Sequence, residues 1–111
     1  MSTVTNMSKE QVEKMLTQRA EMAMALDELD KEFEGVFCGT MLDTEHVLHI
    51  YQVSVLKEIA KILEVPVAVE EYEDKEKMQP YLGRMWFPFE CCGKKWQVFS
   101  LYEDESEVVG I

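Results

Sequence analysis

Residues 84–99 read RMWFPFECCGKKWQVF, and no other stretch restricts the fold as much. A two-residue turn at Cys92-Gly93 brings the whole segment into β-hairpin register. Cys91 then faces Lys94, Glu90 faces Lys95, Phe89 faces Trp96 and Phe87 faces Val98. Glycine at the second turn position suits a type I′ turn, while cysteine at the first stands where asparagine or aspartate is usual. Glu90 with Lys95 is a favourable cross-strand charge pair and Phe89 with Trp96 an aromatic one. Pro88 opposite Gln97 falls on a site that forms no hydrogen bonds across the hairpin, so its missing N–H blocks only the outer edge. These features predict strand 84–92 at a sheet edge and strand 94–102 inside, beside a strand at 66–72 (PVAVEEY).

The hairpin has two faces. Met85, Phe87, Phe89, Trp96 and Val98 form one, which helices are expected to cover. Trp86, Phe99 and Leu101 lie on the other, which is more apolar than a solvated face needs to be and so reads as a contact surface. The alternative is that a helix or loop covers this face too.

Upstream, Ser8 opens Ser-Lys-Glu-Gln, a capping box that starts a helix running to about Glu34, with Gly35 as its stop. Val12, Met15, Met22, Leu26, Leu29 and Phe33 recur at spacings of three and four, interrupted by Arg19. Such a helix is roughly 38 Å long, more than a small core needs. Val12, Met15, Met22, Leu26 and Leu29 are therefore a candidate homodimer seam, against the plainer reading of an amphipathic helix lying on its own sheet. GVFCGTML follows as a strand or extended connection. A second helix, capped by Asp43 or Thr44, runs to about Leu63, with Leu48, Tyr51, Val55, Leu56, Ile59, Ile62 and Leu63 on one face. Its beginning, VLHIY, also reads as a strand. Val65-Pro66 ends the helix, and EDKEKMQPYLG is a charged loop. The expected architecture is α+β: one domain over residues 8–104, two helices on a small antiparallel sheet, and flexible ends at 1–7 and 105–111.

Twenty-two acidic residues against eleven basic ones give a net charge of −11. That surface repels phosphates and anionic membranes, which disfavours direct nucleic-acid binding and favours basic partners. Glu70, Glu71, Glu73, Asp74 and Glu76 form an acidic run able to imitate a phosphate backbone, although such runs are ordinarily solvated faces. Three cysteines, Cys38, Cys91 and Cys92, are an odd number and point to a reducing compartment. No apolar run is long enough for a membrane span and no leader opens the chain, so a cytoplasmic protein is expected. His46 and His49, three residues apart, would share one face of a helix and with a cysteine could hold zinc, but no paired C-x₂-C ligands accompany them. Cys91 and Cys92 are expected on opposite strand faces. No motif links a cysteine to a histidine for catalysis, and no phosphate-binding glycine loop is present. The expectation is a non-enzymatic binder without cofactor.

The order HIY, VLKEIAKILEV, PVAVEEYE and FECCGKKWQVFSLYE, spanning residues 46–103, resembles small acidic proteins encoded in phages and prophages of low-GC Gram-positive bacteria. The sequence departs from them in Cys-Gly at the turn and in Glu-Val at the helix end. The resemblance implies a context: a protein that binds and inhibits host machinery in the bacterial cytoplasm, as anti-CRISPR proteins do. It carries no catalytic residues. The expected partner is a basic or nucleic-acid-binding host protein, met through Trp86, Phe99, Leu101 and the acids of 70–76.

Overall fold

A computed structural model describes residues 4–36, 46–74 and 76–109. Helix α1 spans Lys9–Glu32, strand β1 Val47–His49, helix α2 Val53–Leu63, strand β2 Ala68–Glu71, strand β3 Gly83–Cys91 and strand β4 Lys94–Tyr102. The architecture is α+β, and the sheet is mixed, in the order β1-β4-β3-β2. β3 and β4 form the hairpin in the expected register, from Cys91 opposite Lys94 to Gly83 opposite Tyr102. Cys92 and Gly93 both take positive φ, 56° and 72°, as a type I′ turn requires.

The hairpin sits differently in the sheet than expected. β2 pairs antiparallel with β3, not with β4, and only from Ala68 opposite Trp86 to Glu71 opposite Gly83. Pro88 lies beyond that pairing, so it seals the outer edge of β3 only where β2 has already ended. Residues before it keep their outward N–H groups and accept a neighbour. On the other side of β4 runs β1, parallel, with Val47 opposite Gln97 and His49 opposite Phe99. β1 and β2 therefore run in the same direction at opposite edges, joined through α2, and the later hairpin fills the space between them.

β1 decides between the two readings of 46–52 in favour of the strand. Val47–His49 alternates half-buried, buried, exposed, and α2 begins only at Val53, capped by the backbone of Gln52 without a side-chain bond. Tyr51, expected on the helix's apolar face, stands 91% exposed before the helix starts. The expected cap at Asp43 or Thr44 and the stretch 37–42 lie outside the described residues.

One core lies between the helices and one face of the sheet. Met85, Phe87, Trp96, Val98, Ser100 and Tyr102 point into it from the hairpin, and Val53, Leu56, Ile59, Ala60 and Leu63 from α2. Each large apolar side chain so buried contributes about 1.5–3 kcal/mol. α1 begins at the predicted Ser8 capping box, with the Ser8 hydroxyl accepting from Gln11 N–H and the Gln11 side chain accepting in return from Ser8 N–H. It buries Val12, Leu16, Ala20 and Ala23, small residues in its middle letting it approach closely. Val4 is buried in the core, and Glu105–Val108 forms a 3₁₀ turn capped by Asp104, with Val108 packed against the core. No described helix is long and apolar enough to cross a membrane.

Candidate functional site

Side chains that are opposite each other in a sheet share a face. The face turned away from the helices follows from the register alone. Its central row runs Ala68, Trp86, Phe99, His49 across all four strands, roughly 14 Å at ordinary strand spacing. The His49 ring stacks on Phe99, centroids 4.6 Å apart and planes within 6°. Toward one end lie Glu70, Arg84 and Leu101; toward the other Val47, Gln97 and Pro88, then Glu90 with Lys95. Arg84 Nε donates to Glu70 Oε2 at 3.0 Å, while Lys95 and Glu90 are 3.9 Å apart and well exposed.

Trp86, Phe99 and Leu101 are half-buried, and none of them belongs to the core cluster or to the apolar side chains packed against it. The His49 ring covers part of Phe99. The result is an aromatic strip with ion pairs at its ends. Beyond Leu101 the face opens into a cleft of about 510 Å³ lined by His49, Tyr51, Tyr81, Leu101, Glu103 and Glu107. Glu107 Oε1 is held at the cleft wall, accepting from Glu103 N–H and Asp104 N–H at 3.0 Å each.

The acids of 70–76 do not act as one set. Glu70 is paired with Arg84 on the open face. Glu71 follows it on β2 with its side chain toward the opposite face, across from Gly83. Glu73, Asp74 and Glu76 are exposed in the turn after β2, where Asp74 Oδ1 accepts from Lys77 N–H at 3.0 Å. Gly83 is fixed by the fold: a Cβ there would collide with the carbonyl oxygen of Glu70 and come within 2.7 Å of the Tyr102 hydroxyl.

His46 and His49 do not converge. Alternation along β1 sends them to opposite faces. The His46 ring meets the buried Trp96 edge-on at 4.9 Å, whereas His49 stacks on Phe99 on the open face. One ion cannot be shared across the sheet, and among the described residues no three His, Cys, Asp or Glu side chains are grouped to hold a metal.

The cysteines also differ from expectation. Cys92 takes its turn conformation at φ 56°, which removes it from strand alternation and brings its thiol within hydrogen-bond reach of Cys91. Burial first, and the Cys92 thiol second, push the Cys91 thiol up to about 11, partly offset by a hydrogen bond with Thr17 of α1. A thiol held in its neutral form is a poor nucleophile and a poor metal ligand.

The candidate seam of α1 divides in two. Val12 is fully buried in the protein's own core and Met15 half-buried against it, while Met22, Leu26 and Leu29 are 63%, 46% and 40% exposed. Sequence reasoning missed His49 and Ala68 as members of the open face. The signal for His49 was the strand reading of VLHIY, whose alternation puts His49 with Val47. Ala68 carried none, because a lone alanine has no period.

Compared with protein-family models, with curated proteins and with solved structures, the chain matches none.

Proposed function

We propose that this is a non-enzymatic binding protein whose open sheet face docks a basic, nucleic-acid-handling protein of a bacterial host and inhibits it. The observation that carries this reading is the aromatic row of Trp86, Phe99 and His49 on the face that neither helix covers. Aromatic side chains set in a partly desolvated strip are the usual energetic centre of a protein contact, with charged groups serving as the rim. Arg84–Glu70 and Lys95–Glu90 supply that rim here. The exposed acids Glu73, Asp74 and Glu76, on a chain of net charge −11, favour approach by a basic surface. The resemblance to small acidic phage proteins agrees with an anti-CRISPR-like inhibitor acting in the host cytoplasm.

The chemistry separates two modes of recognition. If the aromatic row dominates, Trp86→Ala weakens partner binding by about thirtyfold or more, the cost of losing a central aromatic anchor. If acidic mimicry of nucleic acid dominates, Glu73→Lys, Asp74→Lys and Glu76→Lys together abolish binding at low salt and Trp86→Ala matters little. Affinity capture from a Gram-positive host lysate identifies the partner, and titration of the purified pair with the two variants decides. A captured protein whose affinity is indifferent to both variants would remove the open face and its acidic border from the reading.

A further inference from the structure

Beyond that reading, and away from the open face, we propose that Cys91 and Cys92 form a reversible oxidation site, two neighbouring thiols placed to close into a disulfide when a peroxide reaches the hairpin tip. Adjacent residues of a regular strand point to opposite faces, so two cysteines there would not meet. The turn changes that. Cys91 ends β3, whereas Cys92 holds φ at 56°. Relative to a strand residue, that φ turns the side chain roughly half a turn about its N–Cα bond, onto the side of the peptide plane where the Cys91 Cβ already stands. The two thiols accordingly lie within hydrogen-bond reach of each other, and both are free. Asparagine would suit this backbone better, so the residue that stands here costs stability and supplies a thiol.

Exposure gives the two cysteines different roles. Cys92 is exposed, while Cys91 is half-buried, bonded to Thr17 of α1 and packed at the border of the core. A cleft of about 490 Å³ lined by Glu90, Cys91, Gly93, Lys94 and Lys95 opens beside them and admits a small hydroperoxide. Cys92 reacts first. Its thiolate attacks the terminal peroxide oxygen, an S–O bond forms, the O–O bond breaks, and an alkoxide or hydroxide leaves behind a sulfenic acid. The Cys91 sulfur then attacks the Cys92 sulfur, and its proton departs with the hydroxyl group as water. Two thiols lose two electrons and one peroxide gains them. Burial keeps Cys91 protonated, which spares it from the oxidant, and its fixed place beside the sulfenic acid offsets its slower attack. Consecutive Cα atoms are about 3.8 Å apart, short of the roughly 4.4–6.8 Å that ordinary disulfides span. The bridge is therefore strained and readily reduced, a responsive link and not a staple for the fold.

Intact mass and thiol titration of Cys38→Ser, which leaves only this pair of cysteines, test the proposal before and after a small excess of hydrogen peroxide. The expected product is a single chain lighter by two hydrogens, with no titratable thiol, and with Cys91 bridged to Cys92 in its peptide map. Millimolar reduced glutathione is expected to return both thiols. On the same background, Cys91→Ser should accumulate a sulfenic acid that dimedone traps, and Cys92→Ser should stay reduced at the same peroxide dose. Gain of oxygen on Cys92 without loss of two hydrogens overturns the proposal, and so does a disulfide joining two chains. A bridge that glutathione leaves intact overturns its reversibility. Sulfenic acid trapped on Cys91 in Cys92→Ser overturns the division of roles. The measurement needs no partner protein, so it stands apart from the docking reading.

Discussion

Cys92 holds a left-handed backbone at φ 56°, the first central position of the hairpin turn. A residue with a Cβ carries a cost of about 1–2 kcal/mol there, which asparagine largely escapes. Replacing Cys92→Asn should therefore stabilise the protein by about 0.5–1 kcal/mol, read as a higher urea midpoint at unchanged slope. A lower midpoint would mean that the thiol's contact with Cys91 outweighs the backbone gain. At this scale the sequence was informative wherever a residue's own geometry decides the outcome. Pro88 could stand only where its missing N–H faces away from β4, and Gly93 only where φ is positive. Cys92 was placed correctly in the turn, but strand alternation was carried one residue too far, and its approach to Cys91 was invisible for that reason.

Among the elements, α2 ends in the same unusual way. Glu64 caps the helix at φ 58°, with its N–H bonded to Lys61 O and the N–H of Val65 to Ala60 O. This is the closing pattern that glycine ordinarily fills. Glu64 is exposed, so Glu64→Gly removes backbone strain and little else. The expected gain is about 0.5–1 kcal/mol, a rise of a few degrees in Tm, and a decrease would show that the greater freedom of glycine in the unfolded chain prevails. α1, α2 and the hairpin were legible because each repeats a period over nine or more residues. β1 was not, since three residues fit a helix and a strand alike. Only the neighbouring β4, fifty residues on, decides between them. The same holds for β2, whose choice of β3 over β4 is a property of the assembled sheet.

For the molecule as a whole, the excess of acid has a thermodynamic consequence. Among the described residues, ion pairs such as Lys31–Asp27 at 3.0 Å and Lys95–Glu90 at 3.9 Å lie at the surface, and surface pairs contribute little. Self-repulsion at −11 outweighs them, so added salt should stabilise the fold by screening. Tm is expected to rise by a few degrees between low and moderate sodium chloride concentration. A decrease would assign the larger share to the ion pairs. The candidate site was half legible at this scale. Trp86 and Phe99 share a face by hairpin register alone, but whether a helix covers that face depends on which side α1 and α2 choose, and no local pattern records it.

The strand order has one more consequence, for the timing of synthesis. β1 and β2 emerge from the ribosome early, yet neither touches the other, and each waits for a strand that is translated later. A chain synthesised as far as residue 82 contains the segments of α1, α2, β1 and β2 but neither central strand, so Met85, Phe87, Trp96 and Val98 are still missing from the core. Closure of the sheet is thereby tied to completion of the hairpin, and until β4 is available the apolar face of α2 lacks the strands it packs against in the finished fold.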